Sequence, residues 1–318
     1  MTHRIFIDGA AGTTGLEIRD RLKDREEFEL IVLDDAQRKD VSARQEALYE
    51  ADVAVLCLPD DAAREAVKLA EGSNTRIIDA SSAHRVADGW TYGFPELIGH
   101  DKIANAKLVS NPGCYPTGFL ALVAPLVQAG ELPEIWPYTV NAVSGYSGGG
   151  NALIERFKAN PDIAFRTYGL SLEHKHLREM QRYAGLSSAP LFSPSVVPAY
   201  RGMLVEVPVP FSEMLRFSEL KDRVEATHAY DLWVELEWFF KRSDVVKVTP
   251  FAEKPAELLL RDCTDANDGM TLTVCGDQAG TQARLIARLD NLGKGASGAA
   301  IQNLNIMCGL EETTGLRL

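Results

Sequence analysis

A glycine triplet near the start of the chain, Gly9-Ala10-Ala11-Gly12-Thr13-Thr14-Gly15, narrows the possible folds more than any other feature. It lies between an apolar run, Arg4–Asp8, and an amphipathic run, Thr14–Lys23, which predict a strand before the turn and a helix after it. In that setting glycines let the backbone approach a pyrophosphate closely. The helix start adds N–H donors and the positive end of the helix dipole. Gly9, Gly12 and Gly15 are therefore candidate dinucleotide contacts, and Thr13 and Thr14 add hydroxyl donors. The same triplet without a strand and a helix around it would mean little.

The pattern then repeats. Further strand candidates are Glu29–Leu33, Val53–Leu58, Arg76–Ala80 and Leu108–Ser110, and further helix candidates are Ala43–Tyr49 and Ala62–Ala70. This alternation predicts an α/β, Rossmann-type domain with a parallel sheet, whose ligands bind at the C-terminal strand ends. After the second strand, Asp34-Asp35 suits a ribose hydroxyl and Arg38-Lys39 suits a 2′-phosphate, so spacing leaves NAD and NADP both open. After the third, Asp60 or Asp61 is placed to cap a helix. After the fourth comes Asp79-Ala80-Ser81-Ser82-Ala83-His84-Arg85. Small residues such as Ser81 suit the nicotinamide side of a crevice. Arg85 is either an anion ligand or one half of a surface ion pair.

With 318 residues, 46% of them hydrophobic, the chain can bury a large core and is expected to form two domains. A formal net charge of -12 argues against nucleic acid or an anionic membrane as partner. An anionic small-molecule substrate needs only a local cluster of donors. The five cysteines are scattered and form no CxxC pair, so neither a disulfide framework nor a zinc site is indicated. No basic segment followed by a long apolar stretch opens the chain, and its longest apolar run, Phe119–Val127, is too short to span a bilayer. The expectation is a soluble cytoplasmic protein.

Cys114 stands apart from the other cysteines. It lies in Ser110-Asn111-Pro112-Gly113-Cys114-Tyr115-Pro116-Thr117-Gly118, between a strand-like run and the helix-like run Thr117–Val127. The turn residues put its sulfur where a helix begins, and that position favours a thiolate. A buried structural cysteine is the ordinary alternative.

Beyond Trp136 the pattern changes. Tyr138–Ser144 reads as a strand ending in Ser144-Gly145-Tyr146-Ser147-Gly148-Gly149-Gly150, either a substrate loop or a flexible connection. Strand-like segments follow at Val205–Val209, Trp233–Phe240, Val245–Val248, Glu257–Leu260 and Met270–Val274, with helix-like stretches at Leu172–Tyr183 and Glu219–His228. That mixture predicts an α+β domain with a largely antiparallel sheet. On a helix His176 and Glu179 share a face, so the carboxylate is placed to orient the imidazole, whereas His174 and His176 point apart. Asp290 to Asn305 is rich in small residues, suited to tight packing or to close approach of a ligand.

Taken together, these segments resemble the shorter form of N-acetyl-γ-glutamyl-phosphate reductase, an arginine-pathway family, most strongly in Ser110–Gly118 and then in Lys294–Asn305. The resemblance implies a semialdehyde-dehydrogenase-like plan. A discontinuous NADP-binding Rossmann domain would take residues 1–114 and 296–318, and a catalytic and dimerising α+β domain would take 115–295. It implies Cys114 as nucleophile, His176 as its partner, and NADPH as cofactor. Substrate contacts are expected at Arg85, Ser144, Gly145, Ser147 and Glu179. Cofactor contacts are expected at Gly9, Gly12, Thr13, Thr14, Gly15, Arg38, Ser81 and Asn303, with no metal. Partners would be an acyl phosphate, inorganic phosphate and further copies of the chain. The expected reaction reduces N-acetylglutamyl 5-phosphate to the 5-semialdehyde through a Cys114 thioester. Two rivals stand beside it: another acyl-phosphate or acyl-thioester reductase, such as aspartate-semialdehyde dehydrogenase, and a non-catalytic dinucleotide-binding regulator. Many relatives have a proline between the histidine and the glutamate, where this chain has Leu177-Arg178.

Overall fold

The computed structural model describes residues 2–34, 36–214, 228–253, 255–260 and 264–318. The chain divides into two compact units, one of Met1–Gly113 with Ala296–Leu316, the other of Cys114–Gly295 with Arg317–Leu318.

The first unit is built on a six-stranded parallel sheet of order β2-β1-β3-β4-β6-β5. The strands are β1 (His3–Asp8), β2 (Phe28–Ile31), β3 (Val53–Leu56), β4 (Arg76–Asp79), β5 (Thr91–Tyr92) and β6 (Leu108–Ser110). Connecting them are helices α1 (Thr13–Leu22), α2 (Val41–Glu50), α3 (Asp60–Leu69), α4 (Pro95–Ile98) and α5 (His100–Ala104). Both faces of the sheet are covered, which is why the strands read as unbroken apolar runs. Ile5, Ile7, Val53, Val55 and Ile78 pack on one face with Ile18 and Leu22 of α1 and with Ile301 and Leu304 of a late helix, Gly298–Met307. Phe6, Ala54, Leu56 and Ile77 pack on the other with Leu48 of α2 and Ala66 of α3. From β1 the chain goes to β2 on one flank and β3 on the other, so the turn after β1 opens at the point where strand order reverses.

The second unit carries a seven-stranded sheet of order β11-β12-β13-β10-β7-β9-β8. Its strands are β7 (Thr139–Gly145), β8 (Arg166–Thr167), β9 (Leu191–Val197), β10 (Met203–Val209), β11 (Val246–Val248), β12 (Met270–Gly276) and β13 (Ala283–Leu289). Four ladders are antiparallel, but β7–β9 and β11–β12 are parallel, so the sheet is mixed. Helix α6 (Cys114–Ala129) lies against it, and every residue from Tyr115 to Leu126 is buried. A helix apolar all round needs cover all round. The sheet, α8 (Leu177–Ala184) and the helix Ala229–Phe240 supply it. A further helix, α7 (Gly150–Ala159), follows β7.

Four sequence expectations are corrected. Trp233–Phe240 alternates like a strand but is helical, because Leu232, Leu236 and Phe240 recur at helical spacing and are buried, and His228 and Asp231 form a capping box. The stretch Leu172–Tyr183 is helical only from Leu177. Leu172 takes a left-handed φ of 62°, and turn bonds close from Leu172 N–H to the Gly169 carbonyl and from Leu177 N–H to that of His174. His176 is therefore the N-cap of α8, and Glu179 falls in its first turn. Glu257–Leu260 is not a strand. Nor does Asp60 cap α3: the N-cap is Pro59, and the Asp60 carboxylate accepts from the N–H and hydroxyl of Ser82. In the stretch Glu219–His228, residues 219–227 lie outside the described residues.

Close helix–sheet packing depends on Gly118 of α6. A Cβ there would meet Val205 Cγ2 at 2.8 Å and Ala287 Cβ at 3.3 Å. Gly118→Val is expected to destabilise the protein by about 1–3 kcal/mol through overpacking, despite the gain in helix propensity over glycine. A lower urea midpoint with an unchanged slope is the measurement that checks it.

Candidate active site

The turn after β1 is closed backbone to backbone. Gly9 has φ +88°, and a Cβ on it would lie 2.3 Å from the Cys57 carbonyl oxygen. A Cβ on Gly15 would lie 2.6 Å from the Gly9 oxygen. Gly12 is the N-cap of α1 and makes no side-chain cap hydrogen bond, so the helix that starts at Thr13 and Thr14 turns its dipole toward this turn. Such a start suits an anion. A cavity of about 400 Å³ adjoins it, lined by Gly9, Ala10, Ala11, Arg38 and Lys39 among others. That is the size of an ordinary small-molecule site. The close-packed glycines and the cationic rim fit a dinucleotide. Of the two acids that suit a ribose hydroxyl, Asp34 accepts with Oδ1 from the N–H groups of Ala36 at 2.9 Å and Gln37 at 2.8 Å. Asp35 lies outside the described residues.

Three predicted contacts of this unit have structural partners. Ser81 donates its hydroxyl to Asp79 Oδ2, which also lies 2.7 Å from His84 Nδ1. Arg85 is buried, and donates from Nε to the Asn111 carbonyl at 3.0 Å and from Nη2 to that of Ala80 at 3.3 Å. Asn303 is buried and donates to the Gly93 carbonyl and to Asn111 Oδ1. Asn111 in turn donates to the Ala296 carbonyl. The turn Asn111-Pro112-Gly113, immediately before Cys114 in sequence, is thus clamped at both ends of the Asn111 residue.

In the second unit Cys114 is the first residue of α6 and is partly exposed. Its neighbour Tyr115 is buried and edge-on to a ring cluster. The ring centres of His176, His174 and Phe192 lie 5.9, 6.4 and 5.1 Å from it. The Tyr168 hydroxyl donates to that of Tyr115 at 3.3 Å, and Tyr115 donates to the Ser195 carbonyl. His174 Nδ1 accepts the backbone N–H of His176 at 3.2 Å, so the loop before α8 is tied by its own imidazole. The structure therefore brings the His176 ring to the residue next to Cys114, sixty positions earlier in the chain. Glu179 is buried in the first turn of α8. Gly295 approaches from the far end of the unit, where a Cβ would lie 2.9 Å from Cys114 Cβ.

The loop after β7 is fixed rather than flexible. Gly145 leaves no room for a side chain, since a Cβ would meet the Ala199 oxygen and the Arg201 backbone at 2.8 Å. Ser144 donates to the Gly145 carbonyl, and Ser147 Oγ accepts from Asn291 Nδ2 at 2.9 Å. Asn291 Oδ1 accepts from the Gly202 N–H, and buried Asp290 holds half-buried Arg201 at 2.8 Å. Neither these pairings nor the Tyr115 ring cluster was found from sequence. Partners 89 to 144 residues apart leave no local periodicity to read.

Two comparisons bear on identity. Residues 4–106 match the family described as "Semialdehyde dehydrogenase, NAD binding domain", and residues 114–291 match "Semialdehyde dehydrogenase, dimerisation domain". A protein of Nostoc sp. named "N-acetyl-gamma-glutamyl-phosphate reductase 2" is 48% identical over 98% of this chain and 99% of its own length. The chain belongs to the N-acetyl-gamma-glutamyl-phosphate reductase family. The fold of this reductase family member is also that of solved aspartate semialdehyde dehydrogenases. The Vibrio cholerae enzyme II has TM-score 0.70 at 18% identity, covering 96% of this chain and 98% of that one. The Candida albicans enzyme, solved with NADP, has TM-score 0.66 at 15% identity with the same coverage. In this reductase chain the match to the dimerisation domain begins at Cys114 itself.

Burial pushes the Tyr115 phenol well above its usual range, helped by the nearby Tyr168 and Cys114, and pushes Tyr168 up to about 12. A tyrosine in an unfolded chain ionises near ~10. Between that value and about 12 the folded state holds more protons than the unfolded one. Stability is therefore expected to fall as pH rises through that window. A urea melt series in alkaline buffers checks this, and Tyr168→Phe should flatten the slope.

Proposed function

We propose that the chain reduces N-acetyl-L-glutamyl 5-phosphate to N-acetyl-L-glutamate 5-semialdehyde with NADPH, releasing inorganic phosphate, through a thioester on Cys114. The observation that carries this is a partly exposed cysteine at a helix start, its neighbouring tyrosine packed on two histidine rings, in a chain 48% identical to a named reductase over nearly its full length.

The Cys114 thiolate attacks the acyl carbonyl. A C–S bond forms, the C–O bond to phosphate breaks, and phosphate leaves with that electron pair. Splitting one difficult reduction into two steps is what the covalent bond achieves. Bound NADPH supplies the hydride that turns a thioester into an aldehyde. Gly9, Gly12 and Gly15 would hold its pyrophosphate, with Thr13 and Thr14 at the helix start, Arg38 near the adenine ribose, and Ser81 and Asn303 shaping the wall. The Cys114 backbone N–H, at the start of α6, donates to the oxyanion that develops in both steps. His176 takes the thiol proton and returns one to the tetrahedral oxygen. Cys114 then leaves as the thiol. Ser144, Gly145, Ser147 and Glu179 shape the acyl pocket. Arg85 contributes by holding the turn before Cys114.

The dimerisation-domain match supports a homo-oligomer. The described cysteines Cys57, Cys114, Cys275 and Cys308 are free thiols, as in a reducing compartment, which supports a cytoplasmic site. Among the described residues no helix is long and apolar enough to cross a membrane.

Cys114→Ser is expected to lower turnover roughly 10³-fold or more, the scale seen when a nucleophile is lost, while NADPH binding survives. His176→Asn should lower the rate and flatten its pH profile. Phosphate-dependent oxidation should be fast with N-acetylglutamate semialdehyde and slow with aspartate semialdehyde. Equal rates would replace this assignment with the broader acyl-phosphate reductase.

A further inference from the structure

The cavity beside the glycine turn holds a charge pair that a dinucleotide site does not need for its fold. Asp8, the last residue of β1, and Arg44, on α2, are both buried. Arg44 Nε and Nη2 donate to the same carboxylate oxygen, Asp8 Oδ2, at 3.1 and 2.8 Å. The usual fork engages two oxygens with two N–H groups. Here Asp8 Oδ1 and Arg44 Nη1 are left over, with no protein partner among the described residues, and both residues line the cavity.

The surrounding charge favours an anion. Among the described lining residues Asp8 is the one carboxylate, against Arg19, Arg38, Lys39 and Arg44. Arg19 leans on Asp20 at 3.8 Å. Asp34, whose Oδ1 accepts from the turn amides of Ala36 and Gln37, is not among the described residues that line the cavity. An isolated Asp8 carboxylate would repel a phosphate, but Asp8 bonded to Arg44 presents a neutral pair with one guanidinium edge still able to donate. A planar guanidinium held at one edge suits a phosphate better than a lysine does.

Building on the NADPH assignment above, we infer that Arg44 distinguishes a 2′-phosphorylated adenine ribose from a plain one, and that Asp8 is the positioning residue that aims its guanidinium. Arg44 Nη1 donates to the 2′-phosphate while Nε and Nη2 stay on Asp8. Selectivity then resides in a residue of α2 and one of β1, as well as in the cations that follow β2.

The test uses fragments of the cofactor, so it reads binding and not turnover. The intact protein is titrated calorimetrically with adenosine 2′,5′-bisphosphate and with 5′-AMP. The wild type should prefer the bisphosphate. In the double variant Asp8→Asn/Arg44→Met, which removes both charges together and so leaves no lone buried ion, the preference should fall roughly ten- to hundred-fold, the worth of a charge-assisted hydrogen bond. Affinity for 5′-AMP should barely change. Arg44→Lys keeps the charge without the fork and should lose part of the preference; it also serves if the double variant does not fold. Asp8→Asn alone should weaken the bisphosphate selectively. A full preference in the folded double variant overturns the assignment to Arg44 and leaves it with Arg38 and Lys39. A wild type without any preference overturns the NADPH assignment and this inference with it.

Discussion

A helix with no polar face has to be enclosed, and the placement of Cys114 follows from that. Every residue of α6 from Tyr115 to Leu126 is buried, with Gly118 close against Val205 and Ala287. Burial of this kind, at about 25 cal/mol per Å² of apolar surface, leaves the helix no freedom to slide or turn. Its first residue inherits that rigidity. A side chain on a loop would need its own supports, whereas Cys114 is positioned by the core of its unit. Gly295 presses on the same residue from the other end of the unit's chain.

Buried charge is handled by a common device in both units. Asp8 meets Arg44, Asp290 meets Arg201, and Asp79 meets His84 and the Ser81 hydroxyl. Each acid is at or just after the end of a β-strand, where backbone and ligand chemistry meet. Leaving any of them unpaired would cost several kcal/mol, so each fixes the geometry of its neighbours. The Asp290 pair belongs to the same network that ties Asn291 to Ser147 and stiffens the loop after β7.

The parallel sheet was legible in sequence because both of its faces are buried and its strands are therefore continuous apolar runs. The glycine turn was legible because its neighbours declared a strand and a helix. Cys114 at a helix start was legible from Asn111-Pro112-Gly113. What failed was local pattern without tertiary context. Trp233–Phe240 satisfied a two-residue alternation, yet the burial of Leu232, Leu236 and Phe240 made it a helix. The segment before α8 had helical composition, but a left-handed Leu172 and turn bonds keep Leu172 to Lys175 off the helix, which begins after its N-cap His176. Arg85 and Asn303, singled out for the chemistry of ligand contacts, also bond Asn111, a tertiary tie that no local pattern announces. The ring cluster around Tyr115 joins residues from four separate elements and loops, and no spacing announces it.

The late helix Gly298–Met307 supplies Ala300, Ile301, Leu304, Ile306 and Met307 to one face of the first sheet, and Arg76 donates to the Met307 carbonyl to hold its end. A ribosome delivers those residues after every strand of both sheets. The first sheet must therefore emerge with that face covered only in part, by Ile18 and Leu22 of α1 and Ile103 of α5, while the intervening unit, continuous from Cys114 to Gly295, can close around its own core. At about 5–20 residues per second that interval is roughly ten to forty seconds. During synthesis the order of completion is thus inverted: the first sheet is made before the second and finished after it.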